Sequence, residues 1–329
     1  MKIHFFHKNI IHTIGCRIHD TTLFATLLLT LSATSPSYAE GAAVTDAIGR
    51  EITIHSSERI ITLGPDVSEI AFGLGVGDRI VALDRSSRFP PETASKPNLG
   101  YRRSLSIEGI LSLDPDLILA AEDIGPPDTV DILKELSIPV VFLPEDNSAA
   151  GVERKIDIIA AALNLESEGR KMKVTVAEAF EEITGAADQV PSESRKKVVF
   201  LHGLLRLTAA GRNTPAHEII TLAGGKNPFD QIDGYKTASE ELLLKMKPDT
   251  ILMLPDGKGG PTPEEVFAIP ALQLTPAGRN RSLVVLEGPY MLGFGPRTAL
   301  AIQQLAEALY PLAQTAGSHT KQEDTNLVR

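Results

Sequence analysis

Apolar and polar positions alternate along the chain in segments of two kinds, beginning at Arg59. The run "RIITLGPDVSEIAFGLGVGDRIVALD" opens with a β-branched apolar stretch, turns at a Gly-Pro pair and ends in a second apolar stretch. Between these stretches, apolar residues recur at helical spacing, at Val67, Ile70, Ala71 and Leu74. Asp66 and Glu69 fit a capping box at the start of this helix. The pattern predicts a β-α-β unit.

Further apolar runs predict a parallel sheet, followed by a long helical stretch. The segments "DLILAA" and "IPVVFL" are short and almost wholly apolar, as strands covered on both faces are. Residues 149–190 contain no proline and are rich in Ala, Glu, Lys and Leu, which predicts helix with a break at residues 164–167. The second half of this stretch is long enough to cross between two lobes. Strand-helix alternation restarts with "KKVVFLHG".

A repeat at long spacing indicates that the two lobes are related. The segment "GYRRSLSIEGILSLDPDLIL" is echoed by "GYKTASEELLLKMKPDTIL", and two copies fit paired lobes better than a solenoid. Four residue pairs match at a spacing of 133: Ser106 with Ser239, Glu108 with Glu241, Pro115 with Pro248 and Asp116 with Asp249. We predict an α/β fold of two pseudo-symmetric Rossmann-like lobes with parallel sheets, joined by one long interlobe helix. The expected bounds are 40–165, 166–188 for the helix, 189–312, and 313–329 for a flexible tail.

The first 39 residues have the pattern of a secretory signal peptide. A basic start precedes an apolar run at about residues 23–31, and Ser37-Tyr38-Ala39 gives the small-x-small cleavage pattern before Glu40. The apolar run is too short to persist as a membrane-spanning helix. Cleavage after Ala39 removes Cys16, the only cysteine of the chain. We therefore expect a soluble, exported protein without disulfides.

Charge and motifs favour a binding protein over an enzyme or a nucleic-acid binder. The net charge is −10, and removing Lys2, Lys8, Arg17 and Asp20 with the signal takes it to −12, which disfavours nucleic acid. Four of the eight histidines also leave with the signal, so a multi-histidine zinc site has few candidates. No Gly-x-Ser-x-Gly or His-Glu-x-x-His motif occurs. The glycines of "GLGVGDR" follow a helix, so they do not form a dinucleotide fingerprint.

Candidate ligand chemistry is concentrated in the Tyr101-Arg102-Arg103 loop. Ligands of open α/β sheets bind beyond the carboxyl ends of the strands, so this loop should face a cleft between the lobes, with Gly64-Pro65 and His202-Gly203. An adjacent guanidinium favours the phenolate form of tyrosine, which is a hard oxygen donor that suits ferric iron and can ligate haem. Arginine also binds carboxylates such as haem propionates. The alternative interpretation is a surface turn with solvated charges.

Three segments resemble the HmuT-like periplasmic haem-binding proteins of bacterial haem ABC importers, which have the class III substrate-binding protein fold. They are "LGYRRSLSIEGILSLDPDLILAAED", "AAGRNTPAHEIITLAGG" and "LGFGPRTALAIQQLAEALYP", and the resemblance covers about residues 59–311. It implies that Tyr101 is the axial iron ligand, that Arg103 supports its phenolate, and that Arg102 lies beside the ligand. It also implies His202 as a second iron ligand, although the residues after His202 depart from the Gly- and Met-rich pattern of the family.

Other candidates each have a structural alternative. Tyr235 and Lys236 repeat Tyr101 and Arg102 in the second lobe and could approach the ligand. Met291 and Phe294, with Leu292, could form an apolar wall for a porphyrin or belong to the core. His217 follows Thr214-Pro215 and is expected on an exposed first turn.

Glu108 and Glu241 follow helix-capping serines, where a carboxylate is favoured by the helix dipole. The resemblance implies instead that both dock to arginines of a dimeric permease.

The resemblance further implies that the protein is a periplasmic receptor for ferric haem. Its implied partners are an inner-membrane ABC permease and ATPase and an outer-membrane haem receptor system. The alternative is a carrier of ferric siderophores or corrinoids on the same fold, with Tyr101 incidental to the cleft. Because one long helix joins the lobes, we expect the cleft to close only slightly on binding.

Overall fold

The computed structural model describes residues 41–255 and 259–311. The predicted signal peptide and the whole predicted tail, residues 313–329, lie outside these residues. Within the described part of the chain, no helix is long and apolar enough to cross a membrane.

The first lobe is built on a four-stranded parallel sheet in the order β4-β3-β5-β6. Its strands are β3 (Ile60–Leu63), β4 (Ile80–Leu83), β5 (Leu117–Ala121) and β6 (Val140–Leu143). A separate antiparallel pair precedes it, β1 (Ala42–Thr45) and β2 (Glu51–Ile54). The helices are α1 (Pro65–Gly73), α2 (Ile107–Leu111), α3 (Pro127–Glu135) and α4 (Ala149–Ala162). All residues of β3, β5 and β6 are buried, which explains their unbroken apolar sequences.

One long helix, α5 (Glu166–Asp188), leads from the first sheet to the second. Asn164, between α4 and α5, has a left-handed φ of 55°, which ends the preceding helix. With 23 residues, α5 is about 35 Å long. It packs against α4 and α12, and its buried residues include Val176 and Phe180.

The second lobe has a five-stranded sheet in the order β11-β10-β7-β8-β9. The strands are β7 (Val198–His202), β8 (Thr208–Ala210), β9 (Tyr235–Thr237), β10 (Thr250–Met253) and β11 (Leu283–Val285). The helices are α6 (Pro215–Leu222), α7 (Glu240–Met246), α8 (Pro263–Val266), α9 (Pro270–Gln273), α10 (Pro276–Asn280), α11 (Gly288–Leu292) and α12 (Thr298–Leu309). Strands β7, β10 and β11 are parallel to one another, whereas β8 pairs antiparallel with both of its neighbours, β7 and β9.

The two-lobed α/β fold predicted from the sequence is confirmed, with one correction in the second sheet. That sheet is mixed and not wholly parallel, because β7 turns back on itself through a short connection into β8. Gly203, in this connection, has a φ of 76°, which glycine adopts without steric cost.

The sequence repeat corresponds to a structural repeat. Ser106 and Ser239 cap α2 and α7 by accepting a hydrogen bond from the backbone amide three residues later. Asp116 and Asp249 each accept a hydrogen bond from a backbone amide just before the first strand of their sheet, β3 or β7. Asp114 and Lys247, again 133 residues apart, both have left-handed φ angles, of 45° and 49°. The same local structure is therefore built once in each lobe.

The capping box predicted for α1 is wrong. The N-cap is Gly64, which offers no side chain, and both acidic residues of the predicted box form ion pairs elsewhere. Asp66 lies 2.5 Å from Lys155 Nζ of α4, and Glu69 lies 3.0 Å from an amino nitrogen of Arg297. Arg297 precedes α12 of the second lobe, so the Glu69 pair joins the two lobes directly.

Candidate functional site

A cavity of about 600 Å³ lies between the lobes, at the carboxyl ends of the strands. The first lobe contributes Tyr101, Arg102 and Arg103 to its lining, and the second contributes His202 and Tyr235. Pro65, immediately after β3, also lines it. The structure therefore brings most of the predicted polar candidates to one cleft.

Tyr101 lies on the cavity between two guanidinium groups. The residue is 38% exposed, and Arg103 Nη1 is 3.4 Å from its hydroxyl oxygen. Arg85, two residues after β4, has its guanidinium carbon 5.6 Å from the centre of the ring. Gly100 precedes the tyrosine with a φ of 86°, a backbone conformation that favours glycine. Two cations therefore flank a tyrosine that remains open to a ligand.

Both arginines of the loop are held by one carboxylate. Arg102 donates from Nε to Asp123 Oδ1 at 2.8 Å and from Nη2 to Oδ2, which also accepts from Arg103 Nη2. Burial opposes ionisation of Asp123, but the hydrogen bonds and positive charge of Arg102 and Arg103 outweigh it and lower its pKa to about 2. Asp123 is therefore a permanent anion at neutral pH, and it fixes the direction of both guanidinium groups.

A second carboxyl group, that of Glu145, lies beside Asp123 on the cavity wall. Burial, together with the negative charge of Asp123 and a hydrogen bond to it, raises the pKa of Glu145 to about 7. The two acids follow adjacent parallel strands, Asp123 after β5 and Glu145 after β6. Because carboxyl ends of parallel strands share one edge of the sheet, the topology places them side by side.

The second lobe presents a tyrosine and a histidine to the same cavity. Tyr235 packs edge-to-face on Phe200, with ring centres 6.1 Å apart. Burial raises the pKa of Tyr235, although hydrogen bonds to Thr214 and the Ala216 backbone oppose this. Its phenol is therefore protonated at neutral pH. His202 is the last residue of β7, where it is exposed and lines the cavity.

Three candidate residues do not line the cavity. Lys236 follows Tyr235 on β9, and successive side chains of a strand point to opposite faces, so it is directed away. Met291 and Phe294 have no exposed surface and belong to the apolar core, whereas Leu292, between them, lines the cavity. Phe294 has a left-handed φ of 47°, a local turn that the sequence does not reveal.

His217 is not on an exposed turn as expected. It is half-buried, and its Nδ1 lies 3.2 Å from Asn227 Nδ2. The cap at Thr214 and the first helical position at Pro215 are as predicted. Glu108 and Glu241 are exposed on α2 and α7.

Sequence reasoning missed several charged residues of the site. Arg85, Asp123 and Glu145 each follow a buried strand by two residues, and that position is the signal that could have identified them. Lys155 and Asp66 also reach the cavity, and only the packing of α4 on α1 brings them together.

Comparisons with known proteins agree with this geometry. The family model described as "Periplasmic binding protein" matches residues 60–290. The solved structure of the periplasmic heme-binding protein RhuT from Roseiflexus sp. RS-1, in apo form, is 35% identical with a TM-score of 0.73, covering 79% of this chain and 100% of that one.

Two curated relatives extend the similarity. An uncharacterized ABC transporter substrate-binding lipoprotein of Bacillus subtilis is 24% identical over 82% of this chain and 85% of its own length. A vitamin B12-binding protein of Vibrio parahaemolyticus is 26% identical over 76% of this chain and 88% of its own length. The chain therefore belongs to the periplasmic binding protein family, as a substrate-binding protein of the ABC importer type and not an enzyme.

Proposed function

We propose that this protein captures ferric haem in the interlobe cleft, with Tyr101 as axial iron ligand, and delivers it to an ABC permease. The observation that carries the proposal is Tyr101 on the cavity with Arg103 Nη1 3.4 Å from its hydroxyl oxygen. A guanidinium beside the hydroxyl stabilises the phenolate that ferric iron prefers. His202, from the opposite lobe, is the proposed second iron ligand.

The charges of the cleft favour haem over the corrinoid alternative. Haem carries two propionates, which are ionised at neutral pH and are matched by guanidinium groups. Corrinoids carry neutral amide side chains around the macrocycle and have no comparable need for arginine. Of the two loop arginines, Arg103 is better placed for a propionate or for the phenolate, because its side chain remains 52% exposed while that of Arg102 is only 20% exposed. The similarity to a vitamin B12-binding protein is the observation that supports the corrinoid alternative.

The test compares ligands directly on the purified protein. Hemin, cyanocobalamin and a ferric siderophore are titrated separately, and binding is followed by absorbance and by thermal stabilisation. The proposal predicts tight binding of hemin alone, with a Soret band that shifts on binding. Saturable binding of cyanocobalamin without hemin binding would establish the corrinoid carrier instead.

The permease is proposed to dock on the two repeat helices. Each repeat helix exposes a glutamate and, three residues later, a leucine, and residues at this spacing share one face of a helix. The pairs are Glu108 and Leu111 on α2, and Glu241 and Leu244 on α7. The leucines are 40% and 37% exposed, so each lobe offers a carboxylate beside an apolar side chain. Such a matched pair suits a partner with two equivalent subunits, each offering a cation.

Charge reversal tests the docking surface. Glu108→Lys and Glu241→Lys should each weaken binding to the reconstituted permease, and the double variant should abolish it while hemin affinity stays unchanged. Glu181→Lys, an exposed glutamate on α5, is the matched control with the same change in charge. Equal behaviour of the double variant and this control would exclude the surface.

The proposed location is the periplasm, reached through cleavage of residues 1–39. Amino-terminal sequencing of the exported protein should begin at Glu40. The proposed delivery route also includes the inner-membrane ATPase and an outer-membrane haem receptor system as partners.

A further inference from the structure

The geometry points to Asp123 and Glu145 as a carboxyl pair that positions the two arginines beside Tyr101 and links ligand binding to proton uptake. The inference rests on the proposed function and adds a positioning role for residues that do not ligate iron.

The positioning role follows from the hydrogen bonds of Asp123. Arg102 donates two hydrogen bonds to this one carboxylate, so its guanidinium is held as a fork and is not free to turn toward a ligand. Arg103 shares the same carboxylate and reaches Tyr101 with its other amino nitrogen. Adjacent guanidinium groups repel each other, so without the shared anion Arg103 would lose its direction toward the phenol oxygen.

The loop backbone reinforces this arrangement. The amide of Gly125 donates to the carbonyl of Arg102 at 2.9 Å, and Leu105 donates to the carbonyl of Gly125 at 2.9 Å. The segment that carries Asp123 is thereby fastened to the segment that carries the arginines. Asp123 therefore acts on the iron site only through Arg103, from a rigid support.

The proton link follows from the charges gathered around Glu145. With Glu145 ionised, the four groups Arg102, Arg103, Asp123 and Glu145 sum to zero, and with Glu145 protonated they sum to +1. Other charged groups lie near Glu145. The carboxylate of Glu122 accepts a hydrogen bond from the backbone amide of Glu145, and the Lys155–Asp66 ion pair lines the same cavity. An anionic ligand in the cleft favours the protonated form of Glu145.

The sign of the pH dependence is fixed by this balance. Glu145 titrates near pH 7 in the free protein, and a bound anion raises that pKa further. The gain in ligand affinity that comes from protonated Glu145 is therefore present below pH 7. It is lost as the pH rises through the pKa that Glu145 has in the complex. If the ligand raises the pKa by one unit, the loss at pH 8 is roughly fivefold, and at pH 6 it is negligible.

The experiment measures hemin dissociation constants at pH 6 and pH 8. Glu145→Gln mimics the protonated acid, so it should match wild type at pH 6 and bind roughly fivefold more tightly than wild type at pH 8. Glu135→Gln, an exposed glutamate at the end of α3 that does not line the cavity, is the matched control and should follow wild type at both values.

A spectroscopic readout tests the positioning role separately. Asp123→Asn should raise the pH at which the phenolate-to-iron absorption band appears, because Arg103 no longer supports the phenolate, and Asp123→Glu should restore part of the shift. If hemin binds but the ratio of the wild-type and Glu145→Gln dissociation constants is the same at pH 6 and pH 8, the proton link alone would be overturned. An unchanged band midpoint in Asp123→Asn would overturn the positioning role. Failure of wild type to bind hemin would overturn this inference together with the proposed function.

Discussion

The buried ion pair between Lys155 and Asp66, on the cavity wall, is predicted to be required for the stability of the fold. Their side chains are only 3% and 9% exposed, and Lys155 Nζ lies 2.5 Å from Asp66 Oδ2. Lys155 also donates to the carbonyl of Gly293, in the second lobe, at 3.4 Å. The perturbation is Lys155→Met, which keeps the length of the side chain and removes its charge.

The expected magnitude follows from the geometry. At 2.5 Å and an effective dielectric constant near 20, the attraction is about 7 kcal/mol, which mainly offsets the several kcal/mol that each ion loses on leaving water. The intact pair therefore contributes little net stability. Removing one partner leaves the buried Asp66 carboxylate without a counter-ion, so Lys155→Met should lower the free energy of unfolding by about 3–5 kcal/mol.

Urea unfolding followed by far-UV circular dichroism measures this effect. Asp66→Asn should be similarly destabilised, and the double variant should lose clearly less than the sum of the two single losses. Lys134→Met is the matched control, because its pair with Asp131 is exposed and contributes at most about 1 kcal/mol. A loss from Lys155→Met no larger than that of the control would refute the reasoning.

Two further predictions concern the repeat and the motion between the lobes. Ser106→Ala and Ser239→Ala each remove a helix cap, and each should lower stability by about 1 kcal/mol in thermal unfolding, with additive effects; strong non-additivity would contradict independent caps. The Glu69–Arg297 pair and the single helix α5 both limit lobe motion, so small-angle scattering should show little change in radius of gyration on adding hemin. A large compaction would show that the lobes move freely.

The sequence was most informative where local pattern decides structure. The repeat at a spacing of 133 predicted equivalent caps at Ser106 and Ser239, and both are present because capping depends on residues only three positions apart. The buried strands β3, β5 and β6 were recognisable because burial on both faces demands unbroken apolar runs. Strands β8 and β9 have three residues each, too few to show a period.

The remainder of the site depends on contacts between distant segments. Asp66 and Glu69 satisfy the local rule for a capping box, yet tertiary partners on α4 and before α12 determine where their carboxylates point. Asp123 and Glu145 become neighbours only because β5 and β6 are adjacent in the sheet. Met291 and Phe294 could not be assigned to wall or core because the turn at Phe294 sets their direction.

The most direct test of iron ligation compares the two cleft tyrosines, one from each lobe. Hemin is added to wild type, Tyr101→Phe and Tyr235→Phe, and the phenolate-to-iron absorption band is recorded at neutral pH. The phenol of Tyr235 stays protonated because burial raises its pKa, so Tyr235→Phe should retain the band while Tyr101→Phe loses it. Retention of the band by Tyr101→Phe, or its loss in Tyr235→Phe alone, would contradict ligation by Tyr101.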